Sequence, residues 1–345
     1  MNRLSAFALQ LRAVWMLLGV ALILFVATPY FFTASNLMAI ALAASITALL
    51  AIGETFVIIL GEIDLSVGAM LGFTSVITAM VLPDFGLVMG LLAGLGAGAV
   101  AGLLNGLLVT KVNMPSFIAT LASMSILSGL TLYLTKGNPI AVTSDAFRLI
   151  GTGTILGARA PIWILLVCAV VFGILLARSR FGRQVYATGD NFEAAHLSGM
   201  PVTRVKVAAF VISGLLAGIA GFILAARLGT AQPSAGKGLE LTAIAAVIIG
   251  GTSLLGGRGA ILGTVIGALL LGTIDNGLNL LNISPFLQDV VKGAVILFAV
   301  FVDRNAGPIR AVVQSVKRVI PRPPAPPTEP APTPSSPTKE SAPTP

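Results

Sequence analysis

Residues 13–32 read AVWMLLGVALILFVATPYFF, twenty residues without a charge. A helix needs about 20 mostly apolar residues to cross the ~30 Å hydrocarbon layer of a bilayer, and this stretch has that length. It is longer than the apolar core of a cleavable leader and no clear small-residue cleavage site follows, so it reads as an uncleaved anchor. Runs of the same kind recur from here onward. They are Asn36 to Leu60 (interrupted only by Glu54), Leu65 to Pro83, Phe85 to Thr110, Pro115 to Thr135 and Ala160 to Ala177. Val207 to Ala226, Leu241 to Gly257, Gly259 to Leu281 and Phe286 to Val302 complete the set. The expectation is an all-α, polytopic membrane protein of about ten transmembrane helices. Residues 1–12 form its N-terminus and 13–304 the membrane domain. A basic juxtamembrane segment at 305–320 and a tail at 321–345 follow.

The composition of the whole chain agrees. Of its 345 residues 56% are hydrophobic and 10% charged, against about 25% charged in soluble domains. A soluble fold of this size could not keep so much apolar surface from water. The apolar runs are continuous and do not alternate, which excludes a β-barrel. One cysteine, Cys168, permits no internal disulfide, and the single histidine, His196, permits no histidine-cluster metal site. The formal charge of +8 marks topology. With the N-terminus inside, 15 of the 21 Lys and Arg fall in inner segments, five outside and one, Lys292, in the last span. That asymmetry is what the positive-inside rule requires, so both termini are expected in the cytoplasm and a nucleic-acid role is set aside. In 321–345, 11 of 25 residues are proline, a composition expected to stay disordered.

Glycine and polar residues break the uniformity of the spans. Gly94, Gly98, Gly102 and Gly106 recur every fourth residue, as do Gly214 and Gly218, and Gly259, Gly263 and Gly267. Such stripes let helix backbones approach closely where lipid supplies no hydrophobic drive, or serve as sliding surfaces. No GxxxxGK[ST] phosphate loop occurs. Charges within spans are costly, so Glu54, Asp275, Asp289 and Lys292 are expected to face protein or a cavity. Asp289 and Lys292, three residues apart, are expected to neutralise each other. Asn105, Asn276 and Asn279 either bond neighbouring helices or line a polar pathway. The pairs Asn105-Gly106 and Asn276-Gly277 are each followed, ten and nine residues on, by Pro115 and Pro285. That pattern fits an inverted repeat.

The inner loop from Arg178 to Lys206 holds a further signal. Asn191 is placed to cap a short helix, Ala194 and Ala195 give it a small-residue face, and Gly199 stops it. Such a helix suits docking in a groove on another protein, or serves as an ordinary amphipathic connector.

Several strings together then resemble one family, the permease subunits of bacterial ABC importers for ribose, xylose and related simple sugars. They are GEIDLSVG (61–68), NG (105–106), PSFIATL (115–121), FEAAHLSGM (192–200), GGTSLLGGRG (250–259), NGLNLLNISPF (276–286) and QDVVKGAVILFAVFVD (288–303). The resemblance runs from about Asn36 to Arg304 and implies ten spans with both termini inside. It also implies that Asn191, Glu193, Ala194, Ala195, Ser198 and Gly199 engage a cytoplasmic ATPase. Gly61, Asp64, Ser66, Gly68, Gly256 and Gly257 are read as hinge and packing positions. His196 stands where arginine is usual, Glu62 where a second glycine is common, and Ala69 where serine often follows. Glu62 adds a charge to a segment otherwise read as a hinge.

The resulting expectation is a non-enzymatic permease of which two copies form the pore. A binding protein delivers a monosaccharide outside and a partner ATPase, carrying the ATP and Mg, works inside; the chain itself needs no cofactor or metal. Asn105, Asn276 and Asn279, with Asp275, are expected to line the sugar path. Two rivals stand beside this reading. One is a related permease for branched-chain amino acids or nucleosides. The other is an ion-driven secondary transporter with Glu54 or Asp275 as its ion site. No nucleophile, metal cluster or acid–base pair supports an embedded enzyme.

Overall fold

The structure, a computed structural model, describes residues 3–295 together with 297 and 301; the expected segments 305–320 and 321–345 lie outside these. Helix α1 spans Arg3–Ala27, so most of the expected N-terminal segment continues the first span as one helix. Helix α2 (Ala34–Ile59) begins at Thr33, whose side chain accepts from the Asn36 N–H, and every residue from Ala44 to Ile59 is buried. A helix apolar all round is a core helix, and α2 is the centre of this one.

Helix α3 (Val67–Lys111) has 45 residues, about twice what a bilayer needs. It is two spans. At Gly86 the backbone turns out of the helix (φ 80°, ψ 178°), and the second half folds back on the first. A Cβ on Gly90 would lie 3.0 Å from the Leu82 side chain. The break falls three residues beyond Pro83, where the third span was expected to end. Pro83 is carried in the last turn, and it is the positive φ that glycine tolerates which reverses the chain.

Helix α4 (Ser116–Thr135) opens after Pro115. An outer layer of short pieces follows: strand β1 (Ile140–Ala141), helix α5 (Asp145–Thr152), strand β2 (Thr154–Ile155) and strand β3 (Ala158–Arg159). Helix α6 (Ala160–Arg178), α7 (Arg180–Asp190), α8 (Phe192–Leu197) and α9 (Val202–Leu228) come next. Strand β4 (Thr230–Ala231) pairs antiparallel with β1, and β2 pairs with β3.

Helix α10 spans only Leu239–Ile249, about 16 Å at 1.5 Å per residue and half a bilayer. The expected eighth span, Leu241 to Gly257, is therefore corrected: its second half is irregular. Hydropathy could not see this, because residues 250–257 are glycine-rich and keep Leu254 and Leu255 in the run while lacking helical geometry. The stretch before α10 runs back into the bundle, since a Cβ on Gly72 would stand 3.0 Å from the Pro233 carbonyl. Irregular backbone at such depth is tolerated only when protein encloses it. Helix α11 (Ile261–Leu280) and a further helical stretch at 285–295 complete the bundle.

The glycine stripes are close-packing surfaces. Gly98 and Gly214 face each other so tightly that a Cβ on either would fall on the other's carbonyl, and Gly102 likewise abuts Phe210. On α11, Gly263 and Gly267 sit against Gly250 and Ala246. The two Asn-Gly pairs have different surroundings: Gly106 packs on Val207 of α9 and Gly277 on Leu24 of α1.

Candidate functional site

Three polar features stand out in this apolar bundle. The first is the loop between α6 and α9. Ser179 caps α7 by accepting from the Gly182 N–H at 2.9 Å. Asn191 caps α8, its Oδ1 accepting from the Ala194 N–H at 3.0 Å. At the far end the Met200 N–H reaches the Ala195 carbonyl and the Gly199 N–H that of His196, with Gly199 at φ +75°. These paired bonds are a Schellman stop, which needs the left-handed residue that glycine supplies. The Ser198 hydroxyl donates to the Ala194 carbonyl at 2.7 Å.

The outward face of α8 is not the small-residue face. Ala195 is turned inward and buried, whereas Leu197 is 82% and Phe192 46% exposed, and Glu193 and Ala194 are also exposed. Sequence reading singled out neither Phe192 nor Leu197, although large apolar side chains on a charged loop are the signal to look for. Behind α8, α7 is seated on the core. A Cβ on Gly189 would collide with the Ile59 carbonyl, which also accepts from the Gly257 N–H at 2.8 Å. Gly256 and Gly257 both have positive φ, and a Cβ on Gly257 would lie 2.9 Å from the Asp190 Cα. The Tyr186 hydroxyl donates to the Gly259 carbonyl at 2.8 Å, and burial pushes its phenol up to about 12.

The second feature is the junction between α2 and α3, residues 60–66. Gly61 turns the chain at φ +76°. The junction then climbs between α4 and α9: the Ile63 N–H donates to Ser116 Oγ at 3.2 Å and the Leu65 N–H to Thr120 Oγ1 at 3.1 Å. Asp64 and Ser66 are fully buried. Asp64 accepts from the Ser66 N–H (2.9 Å) and hydroxyl (2.5 Å), and from the Ser213 hydroxyl of α9 (3.3 Å). Asn105 donates to Ser66 Oγ at 2.8 Å and accepts from the Ser123 hydroxyl. Gly68 closes the junction against the Gly236 carbonyl. Glu62 is not loose, because Lys206 of α9 lies 2.5 Å from it.

The third feature is a cavity of about 420 Å³ between α2, α9, α10 and α11, within the size range of small-molecule sites. Thr47, Arg227, Thr242, Asp275, Asn276 and Asn279 supply its polar lining, with Ala235 in the stretch before α10 and Leu239 at the start of that helix. The structure thus brings together three of the four expected pathway residues. Asn105 is not among the lining residues; it is fully buried and both ends of its amide are engaged in the junction. Asn276 and Asn36 exchange reciprocal bonds at 2.8 and 3.0 Å, and Asn279 Oδ1 accepts from Gln288 at 2.9 Å. The expected Asp289–Lys292 pair is corrected, since Lys292 instead pairs with Asp275 at 3.5 Å. The lysine reaches across to α11, whereas Asp289 on its own helix is exposed. Glu54, fully buried on α2, does not line the cavity either. Among the described residues no cluster of three or more metal-ligating side chains occurs.

Comparison with known proteins agrees with this architecture. Residues 36–300 match the family described as branched-chain amino acid transport system / permease component. The chain is 49% identical over 287 residues to the ribose import permease protein RbsC of Bacillus subtilis, covering 82% of this chain and 89% of that protein. It is 41% identical over 310 residues to RbsC of Haemophilus influenzae (88% and 96%). To the L-arabinose transport system permease protein AraH of Escherichia coli it is 42% identical over 292 residues (84% and 88%). With the match covering nearly all of the helical bundle, the chain belongs to this family of transport permeases.

Proposed function

We propose that this chain is the membrane-spanning subunit of an ATP-driven importer for a neutral monosaccharide, a pentose foremost, and that two copies form the pore. It does no covalent chemistry. A partner ATPase holding ATP and Mg docks on Asn191–Gly199, with Phe192, Glu193, Ala194 and Leu197 turned toward it, and a binding protein delivers the sugar from outside. Closing of the ATPase halves shifts the helix bundle between outward- and inward-open arrangements.

The cavity beside the short helix α10 is the observation that carries this reading. Broken helices within a bundle mark substrate sites in transporters. Here Asn276, Asn279, Thr47 and Thr242 offer hydrogen-bond donors and acceptors, Arg227 adds further donors together with a positive charge, and the Asp275 charge is balanced by Lys292. Such a lining suits a hydroxyl-rich, uncharged solute. The identities to ribose and arabinose permeases point the same way. Asn105, tied to Asp64 and Ser66 through the junction, then acts on the path by holding α3 in place.

The family's description favours a second reading, a branched-chain amino acid as cargo. The test is reconstitution in liposomes with the cognate ATPase and binding protein, measuring ATP turnover with ribose, arabinose, xylose, leucine or adenosine. Stimulation by a pentose is expected. Stimulation by leucine alone would overturn the sugar assignment, and uptake that runs on an ion gradient without the ATPase would overturn the whole reading.

A further inference from the structure

Lys206 sits four residues into α9, and two of its contacts have no place in the function described so far. Its Nζ lies 2.5 Å from Glu62 Oε1, with both side chains only about one-sixth exposed (17% and 15%). The same Nζ stands 5.0 Å from the centre of the Phe192 ring on α8, within the reach of a cation–π contact. His196 lies parallel to that ring from one helical turn further along.

Seven residues beyond Lys206, Ser213 donates to Asp64. A spacing of seven places both side chains on one face of a helix. Helix α9 therefore grips the junction at Glu62 and again at Asp64, and Phe192 rests on the inner of the two grips. Elsewhere α9 meets α3 backbone to backbone at Gly98 and Gly214, where side chains cannot absorb a displacement. We propose that the Phe192–Lys206–Glu62 tie is the positioning device that passes movement of the docked segment into the junction ahead of α3. In that role Lys206 and Glu62 set how much ATP hydrolysis is converted into transport. Glu62, which breaks the expected glycine pattern, is then not a flaw in a hinge but the anchor of its link. The inference rests on the docking role proposed above for Asn191–Gly199.

The test uses the complete transporter in liposomes, with the permease carrying Lys206→Met, Glu62→Gln or Lys206→Arg. Met keeps the length of the side chain and removes its charge, and Gln removes the opposing charge. Both are expected to retain the ATPase on purification and to keep basal ATP hydrolysis. Stimulation by sugar-loaded binding protein, and sugar moved per ATP, should fall at least about fivefold, the lower end of ordinary coupling between sites. Arg keeps the cation over the ring and beside Glu62, and is expected to retain at least half of the stimulation.

Wild-type stimulation in Lys206→Met and Glu62→Gln overturns the proposal. So does loss of melting temperature in both variants in step with lost ATPase binding, because the pair is then a strut. A Leu197→Cys variant monitors the underlying reading separately. If it never cross-links to the ATPase while uptake proceeds, the docking assignment fails whatever Lys206 does.

Discussion

The α3–α9 crossing gives a quantitative test through two glycines on one helix turn. Gly98 is buried and a Cβ there would fall on the Gly214 carbonyl, with the Gly214 carbonyl carbon at 3.0 Å; Gly96 has nothing within 4 Å. Replacing either by alanine gains about 1 kcal/mol of helix propensity, and this gain cancels in the comparison. At Gly96 nothing opposes it. At Gly98 the obstacle is backbone, so no rotamer change relieves it and the helices must separate by roughly 1 Å. A gap of that size forfeits a quarter to a half of each dispersion contact along the crossing, and overpacking of this kind costs about 1–3 kcal/mol. The crossing also includes Gly102 against Phe210 and Gly106 against Val207, which places the cost at the upper end. Gly98→Ala is therefore expected to be about 3 kcal/mol less stable than Gly96→Ala. Equilibrium unfolding of the two variants in the same mixed micelles measures the difference. Equal stabilities within about 0.5 kcal/mol, the tolerance for independent surface sites, would refute the tight crossing.

Other predictions follow from the polar features. Gly199→Val forces a β-branched residue to φ +75°, at about 1–2 kcal/mol; it should loosen α8 and reduce ATPase retention on purification while leaving detergent melting nearly unchanged. Asn276→Ala removes both bonds to Asn36, worth about 1 kcal/mol in a membrane protein, and uptake at saturating sugar should fall well beyond what that loss of melting temperature explains. Lys292→Met leaves Asp275 uncompensated in the cavity wall and should cost about 1–2 kcal/mol, much of which the double variant with Asp275→Asn recovers. The Tyr186 phenol, raised from about 10 to about 12, contributes stability that is full below pH 10. That contribution is lost as pH climbs from 10 to 12, by at most about 2.7 kcal/mol; Tyr186→Phe should be less stable than wild type at pH 8 and lack this alkaline loss.

Hydropathy made the bundle legible because lipid demands length and apolarity, and α2, α4, α6, α9 and α11 meet those demands in plain view. It failed where the physics is local. The apolar run at 241–257 does not reveal that α10 stops at Ile249, because enclosed loops and enclosed helices draw on the same residues. The reversal in α3 was legible to within three residues, although its pivot is Gly86, one glycine among 38, and not the more conspicuous Pro83. Long-range pairing was equally invisible. The i,i+3 rule offered Asp289 to Lys292, yet the partner came from another helix at Asp275. Asn105 carried the right chemistry for a sugar path, and its bonds to Ser66 and Ser123 join residues too far apart in sequence for their pairing to be read there. The cap at Asn191 and the stop at Gly199 were legible because capping depends on a few consecutive residues.

These contrasts also locate where the protein can change shape. Contacts between α3 and α9, and between α10 and α11, are backbone on backbone at Gly98, Gly214, Gly250 and Gly263. Close-packed interfaces of this kind are bistable at best and do not deform gradually. The junction at 60–66 is held differently, by hydroxyls of Ser116, Thr120 and Ser213 that can exchange partners without leaving a backbone group exposed to lipid. A load applied at α8 therefore meets rigid pairs on either side and a switchable polar seam between them. The seam at 60–66 is the element expected to move, because the first half of α3 beyond it is itself backed onto α9, where a Cβ on Gly221 would lie 2.6 Å from the Leu71 carbonyl. The cavity beside α10 lies next to the end of the seam across Gly68 and Gly236.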